Sequence, residues 1–223
     1  SDDEHSRREG PEREDPMRYA SGCHAPVLYR VIVQELITDP AGTYVDATVG
    51  GGGHAAALLD VLSEEAILVG IDQDAEALEA TRTRLGSEIE AGRLILTRGN
   101  FGEMQWLLEE LDIEAVDGLL LDLGVSSHQI DAPERGFSFQ AEGTLDMRMD
   151  PRGGLTAEEV VNRYSEHDLR EALRTYGEER RAGSIARAIV RARPIETTTE
   201  LADVVRSVVP TRDEVKILAR VFQ

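Results

Sequence analysis

One stretch of the chain combines residues able to hold a ligand: Asp46-Ala-Thr-Val-Gly-Gly-Gly-Gly-His54. Tyr44–Val49 reads as a buried strand, and Ala55–Leu62 has the composition of a helix. A glycine run between a strand and a helix lets the backbone approach a ligand closely. A second apolar strand, Ile67–Asp72, ends in an acid 20 residues after Gly52. A carboxylate placed there can accept hydrogen bonds from both hydroxyls of a ribose. The alternative for these residues is a tight turn followed by a helix cap at Asp72.

Gly50-x-Gly52-x-x-Ala55 also satisfies the degenerate dinucleotide pattern, so the layout alone leaves a nicotinamide dinucleotide open. Charge separates the candidates. A pyrophosphate needs a helix N-terminus clear of carboxylates, whereas a sulfonium accepts acidic neighbours. Asp46, and Asp122 at the end of the strand Val116–Leu123, make this pocket acidic. That favours a cationic cofactor, S-adenosyl-L-methionine. Phe101, after the short strand Leu94–Thr97, either stacks on an adenine ring or packs on the helix beside it.

The loop Asp122-Leu-Gly-Val-Ser126-Ser127-His128-Gln129 overhangs the carboxyl ends of the strands, where ligands sit in open α/β sheets. Asp122, Ser126 and Ser127 are the side chains that this loop offers to a ligand there.

These residues need a scaffold, and the hydrophobic pattern supplies one. Apolar strands alternate with short helices up to about residue 123, as in a parallel sheet covered on both faces. Asp74, and Asn100 with Glu103, are helix starts. After about residue 150 only helices are expected, over roughly 156–164, 166–176, 182–193, 199–208 and 212–222. Thr156/Glu159 and Thr211/Glu214 are read as capping boxes. The fold class is therefore α/β, a Rossmann-like domain over 23–150 with an all-helical inserted part over 151–210. Residues 1–22 read as a disordered acidic tail. Residues 211–223 are expected to begin a return to the sheet domain, whose last strands are absent from this chain. An unfinished sheet leaves an edge that a second copy can pair with, so a homodimer is one expected outcome.

The chain of 223 residues carries a net charge of −19, which argues against simple nucleic-acid binding through bulk charge. The charge is uneven. Residues 1–146 hold 10 arginines, no lysine and 30 acids; residues 147–223 hold 14 basic residues against 13 acids. Any polyanion is thus expected at the C-terminal third. Arg180, Arg181, Arg187, Arg191 and Arg193 are either an RNA-facing surface or a solvated face. Arg135 and Arg148 either contact phosphate or pair with acids, and Phe137 and Phe139 either stack a base or anchor the core. The acidity and single lysine, Lys216, fit either a high-salt habitat or drift. One cysteine, Cys23, excludes an internal disulfide framework and fits a cytoplasmic location. No metal-ligand spacing and no membrane-spanning run is present.

Residues 24–223 resemble the ribosomal small-subunit RNA cytosine-N4 methyltransferases, the RsmH or MraW family. The resemblance rests on His24-Ala-Pro-Val-Leu28, the Asp46–His54 loop, Gly70-Ile-Asp72, Gly99-Asn-Phe101, Asp117-Gly-Leu-Leu-Leu-Asp-Leu-Gly-Val-Ser-Ser127, Arg135-Gly-Phe-Ser-Phe139, Leu145-Asp-Met-Arg-Met-Asp150, Tyr176-Gly-Glu-Glu179 and Pro194-Ile-Glu-Thr-Thr198. It implies a class I methyltransferase fold with a helical insertion. The implied reaction is methylation of a cytidine amine at the decoding centre of the small ribosomal subunit RNA, in the assembled particle. Implied cofactor contacts fall on Gly52, Gly53, His54, Asp72, Phe101, Asp122 and Gln129. For the implied methyl transfer, which depends mainly on positioning and electrostatics, Asp122 is the candidate acceptor beside the attacking amine, with a pure cofactor contact as the competing role, and Ser126 and Ser127 either bond the base edge or close the turn. His128 stands where the family most often has proline. The alternatives are a non-catalytic subunit-binding factor and an NAD(P)-dependent oxidoreductase; no Tyr-x-x-x-Lys supports the latter.

Overall fold

The structure, a computed structural model, describes residues 29–223. The expected acidic tail, Cys23 and the His24–Leu28 motif lie outside the described residues. In chain order the elements are α1 (Tyr29–Leu36), β1 (Thr43–Asp46), α2 (Gly53–Leu59), β2 (Ile67–Asp72), α3 (Ala75–Arg84), α4 (Gly86–Glu90), β3 (Leu94–Arg98), α5 (Met104–Glu109) and β4 (Gly118–Leu120). There follow α6 (Ser127–Asp131), α7 (Ala157–Arg163), α8 (Glu166–Thr175), α9 (Ala182–Ala192), α10 (Thr198–Arg206) and α11 (Glu214–Phe222).

The four strands form one sheet in the order β3-β2-β1-β4, every neighbouring pair parallel. Successive strand residues point to opposite faces, and both faces are covered. Tyr44 and Leu68 enter a core with Leu58, Leu59 and Leu94, while Val45, Val69 and Ile71 enter another with Leu107. Continuous apolar strands are the sequence mark of such double burial. β4 differs. It is shorter than the expected Val116–Leu123, and Leu119, Leu121, Leu123 and Val125 are exposed.

The chain runs outward from β1 to β2 and β3, then crosses to the other side of β1 to make β4. This reversal opens a crevice at the carboxyl ends of β1 and β4, the usual ligand position in open α/β sheets.

The second half is helical, as expected. Leu145, Val161, Leu169, Ile185, Ile189, Leu201, Val205, Leu218 and Phe222 form its core. Ile217, Leu218 and Phe222 of α11 belong to this helical core. Thr156 and Glu159 make the expected capping box on α7. Thr211 and Glu214 do not make theirs. Pro210 instead opens a 3-10 turn, Thr211–Asp213, and Asp213 precedes α11 without a side-chain cap. The same signature does form, unanticipated, at Thr197/Glu200 and Ser126/Gln129.

The segment 133–150 straps the halves together. Phe139 meets Phe222 edge-on at 5.5 Å, and Thr144 bridges Thr197. Thr198 donates its hydroxyl to the Ala141 carbonyl and accepts the Gly143 N–H. Phe137 is buried and Phe139 packs against the helical core, so both serve as core anchors. Among the described residues, no helix is long and apolar enough to cross a membrane.

Candidate cofactor-binding site

β1 delivers Asp46 to the crevice, almost wholly buried. One carboxylate oxygen, Oδ1, accepts the Thr48 N–H at 3.2 Å; the other, Oδ2, is buried with no hydrogen-bond partner. Burial pushes this carboxyl up to about 6 from its ordinary 3.8. The Thr48 amide and His54 oppose the rise, and Asp72 and Asp122 add to it. An orphaned buried carboxylate oxygen costs free energy unless something donates to it. A cationic or ammonium-bearing ligand does so; a pyrophosphate does the reverse.

The glycine run follows at once. Gly52 sits at φ 75 in the left-handed region and caps α2 with its backbone. A Cβ on it would lie 3.0 Å from both Thr81 side-chain branches, so only glycine fits. Thr81 pins the run by donating to the Gly50 carbonyl at 2.7 Å. Gly53 and His54 open α2.

Asp72 ends β2 beside this loop. Its Oδ2 accepts the Gly50 N–H at 3.0 Å, and its Oδ1 accepts the Asp74 N–H at 2.9 Å. Burial raises its carboxyl, against the lowering from those amides. Across the crevice, Asp122 follows β4. Its N–H donates to the Thr48 hydroxyl at 2.7 Å, and its carboxylate lies 3.7 Å from His54 Nδ1. Asp46, His54, Asp72 and Asp122 thus converge from three strands and one helix into a single acidic cluster at the crevice.

The other expected residues stand around its rim. Phe101 is 42% exposed and begins a 3-10 turn rather than packing into the core. Its neighbour Asn100 donates to Gln73 at 3.1 Å, which holds the turn beside the end of β2. Ser126 Oγ accepts the Gln129 N–H and caps α6, the turn-closing role. Ser127 starts α6, but its side chain lies outside the described residues, as does that of His128. Gln129 is buried with its amide committed: Nε2 donates to Asp74 Oδ2 at 2.8 Å, and Oε1 accepts the Ser126 N–H at 2.9 Å.

Sequence reasoning missed a hub under the rim. Asp74 caps α3, and also accepts from Gln129 and from Arg135 at 2.7 Å. Burial pushes Asp74 up, but the Gln129 and Arg135 bonds outweigh it and hold the carboxyl below the ordinary range. Arg135 also pairs with Glu76 at 2.9 Å and donates to the Arg148 and Met149 carbonyls. Arg148 clamps Asp146 through two nitrogens. Both arginines are therefore partners of acids. The partners of Arg135 lie 59 and 61 positions away, beyond any local spacing rule.

The model of the MraW methylase family matches residues 21–223. The chain belongs to the MraW methylase family. Its relatives within that family include three proteins named ribosomal RNA small subunit methyltransferase H. That of Syntrophotalea carbinolica is 46% identical over 206 residues, which cover 90% of this chain and 65% of the relative. That of Caldicellulosiruptor bescii is 49% identical over 84% of this chain and 61% of its own length. That of Chlorobaculum parvum is 49% identical over 90% and 66%. This family member thus spans roughly two thirds or less of the length of the relatives it matches.

Proposed function

We propose that this chain carries the cofactor-binding part of an S-adenosyl-L-methionine-dependent methyltransferase. The substrate is the exocyclic N4 amine of a cytidine in the decoding region of 16S ribosomal RNA, met in the assembled small subunit, in the cytoplasm. The observation that carries this reading is the buried, unpartnered Oδ2 of Asp46 inside a pocket that also holds Asp72 and Asp122. Such a pocket suits a cation and repels a pyrophosphate. The family and the names of its relatives support the reaction and the substrate.

The residues divide the work. The backbone of Gly52 and Gly53 and the ring of His54 form the floor for the cofactor. Asp72 takes the ribose hydroxyls, the exposed face of Phe101 takes the adenine, and Gln129 closes the rim through Ser126. When bound, S-adenosyl-L-methionine supplies a methyl group on a sulfonium, which needs no acid to leave. Asp122, exposed at the mouth and held by Thr48, accepts from the attacking amine. This localises the nitrogen lone pair and offsets the positive charge that develops there. Ser126, occupied as a cap, positions the loop; Ser127 is kept as a base contact.

Calorimetric titration tests the reading, with S-adenosyl-L-methionine against NAD and Asp72→Ala as control. Saturable binding of the methyl donor alone, weakened in the variant, supports it. Binding of NAD instead overturns it.

A further inference from the structure

Among the described residues, many arginines are neutralised. Arg82, Arg93, Arg98, Arg135, Arg148, Arg152, Arg163 and Arg206 all pair with carboxylates within 3 Å. Against that background, four guanidinium groups stand apart. Among the described residues, Arg174, Arg180, Arg181 and Arg191 have no side-chain hydrogen-bond or ion-pair partner, and all four are exposed. They fall within 18 residues of one another, on α8, α9 and the turn between them. Residues 169–193 carry seven arginines against three glutamates in a chain of net charge −19.

The expected arginine face is thereby redrawn. Arg193 is spent on the Val161 and Tyr164 carbonyls, and Arg187 leans on Glu166 at 3.5 Å. Arg174 enters instead. Together with Arg170 and Arg180 it walls a groove of about 520 Å³ between the end of α8 and the start of α9. Glu178 and Glu179 also line the groove. Glu179, however, is buried and already accepts the Arg181 N–H and the Arg220 guanidinium. Arg170 approaches only its neighbour Glu171, at 3.4 Å.

Tyr176, two positions after Arg174 at the C-terminus of α8, is 76% exposed and lines the neighbouring groove with Leu173, Gly177 and Arg220 rather than the arginine groove itself. An exposed aromatic ring two positions from an unpaired guanidinium offers the two contacts that single-stranded nucleic acid uses: phosphates on arginine, a splayed base on the ring. An acidic polypeptide has phosphate-like charge but no base to stack.

We infer that the groove walled by Arg170, Arg174 and Arg180 binds the phosphates of an RNA strand, and that Tyr176 stacks an unpaired base of it. This deepens the proposed function and rests on it for the identity of the RNA. A surface outside the acidic pocket then explains how a strongly acidic protein holds a polyanion.

The test is fluorescence anisotropy of a labelled 16S ribosomal RNA fragment spanning the decoding region, titrated at several salt concentrations. Arg174→Ala/Arg180→Ala should weaken binding by about tenfold or more and lower the salt slope by about two. Tyr176→Ala should weaken binding at every salt without changing the slope, and Tyr176→Phe should restore it. Arg82→Ala, an exposed and paired arginine on α3, should change nothing. An unchanged slope in the double variant overturns the inference. So does poly-glutamate that displaces the RNA at equal charge, which would assign the groove to acidic polypeptides. Calorimetry with S-adenosyl-L-methionine on the same variants reports separately on the cofactor pocket, and should give wild-type affinity.

Discussion

The hydroxyl of Thr48 accepts the backbone N–H of Asp122 at 2.7 Å, while the Thr48 N–H donates to Asp46 at 3.2 Å. A single side chain thus joins the loop after β1 to the loop after β4, the two walls of the crevice. Thr48→Val keeps the shape and removes the acceptor. It should cost about 1 kcal/mol of stability and weaken S-adenosyl-L-methionine about fivefold. Thr48→Ser should recover most of both, as read by calorimetry and urea unfolding.

Asp46 ties pH to stability. Its carboxyl titrates at about 6 in the fold against an ordinary 3.8, so the folded state holds the proton more tightly than the unfolded chain. Its contribution to stability is therefore full below about pH 4 and is lost as pH rises through about 6. The separation corresponds to about 3 kcal/mol. Urea unfolding of Asp46→Asn without ligand should match wild type near pH 4 and exceed it by up to that amount at pH 8. The same variant should bind the methyl donor more weakly. If the two proteins unfold alike at pH 8, the buried carboxylate is not strained.

Arg135 is nearly enclosed, its charge shared between Asp74 and Glu76. Removing one partner of a buried ion pair leaves the other uncompensated, at about 3–5 kcal/mol. Arg135→Met should lower the denaturation midpoint by that equivalent. Arg135→Met/Asp74→Asn should regain part of the loss, which a double-mutant cycle would measure.

The strap tolerates no side chain at Gly143, where a Cβ would sit 1.8 Å from the Pro133 carbonyl. Gly153, by contrast, faces open space. Gly143→Ala should sharply reduce the yield of folded protein, whereas Gly153→Ala should be within about 0.5 kcal/mol of wild type.

Phe101 lies largely in solvent. Phe101→Ala should therefore change stability by less than about 1 kcal/mol and still weaken binding of the methyl donor severalfold, while Phe101→Trp should hold it. Loss of stability with unchanged affinity would return Phe101 to the packing role.

The sheet and the first wall of the site were legible because they are local. Asp46, the glycine run and Asp72 follow one another along β1, α2 and β2, and their order carries the geometry. Asn100 and Thr156 cap their helices as their spacing predicts. Contacts that depend on the chain folding back were not legible. Nothing near Arg135 announces Asp74, and nothing near Gln129 shows that its amide will also reach Asp74. The capping-box signature at Thr211 failed because Pro210 directs the chain into a tighter turn first. The strand at Val116–Leu123 was overestimated because its leucines suit a covered sheet, and β4 pairs on one side only.

Hydrophobic cores this distinct, those on the two faces of the sheet and the one among the helices, would ordinarily melt as separate units. The contact of Arg135 and Gln129 with Asp74 works against that. Asp74 caps α3 and its N–H is held by Asp72 at the end of β2, so the strap cannot let go without unravelling the sheet side as well. Heat should accordingly remove both halves in one cooperative transition. A variant that removes both the Arg135 and the Gln129 contacts with Asp74 should split it into two, with the helical half surviving as an independent domain.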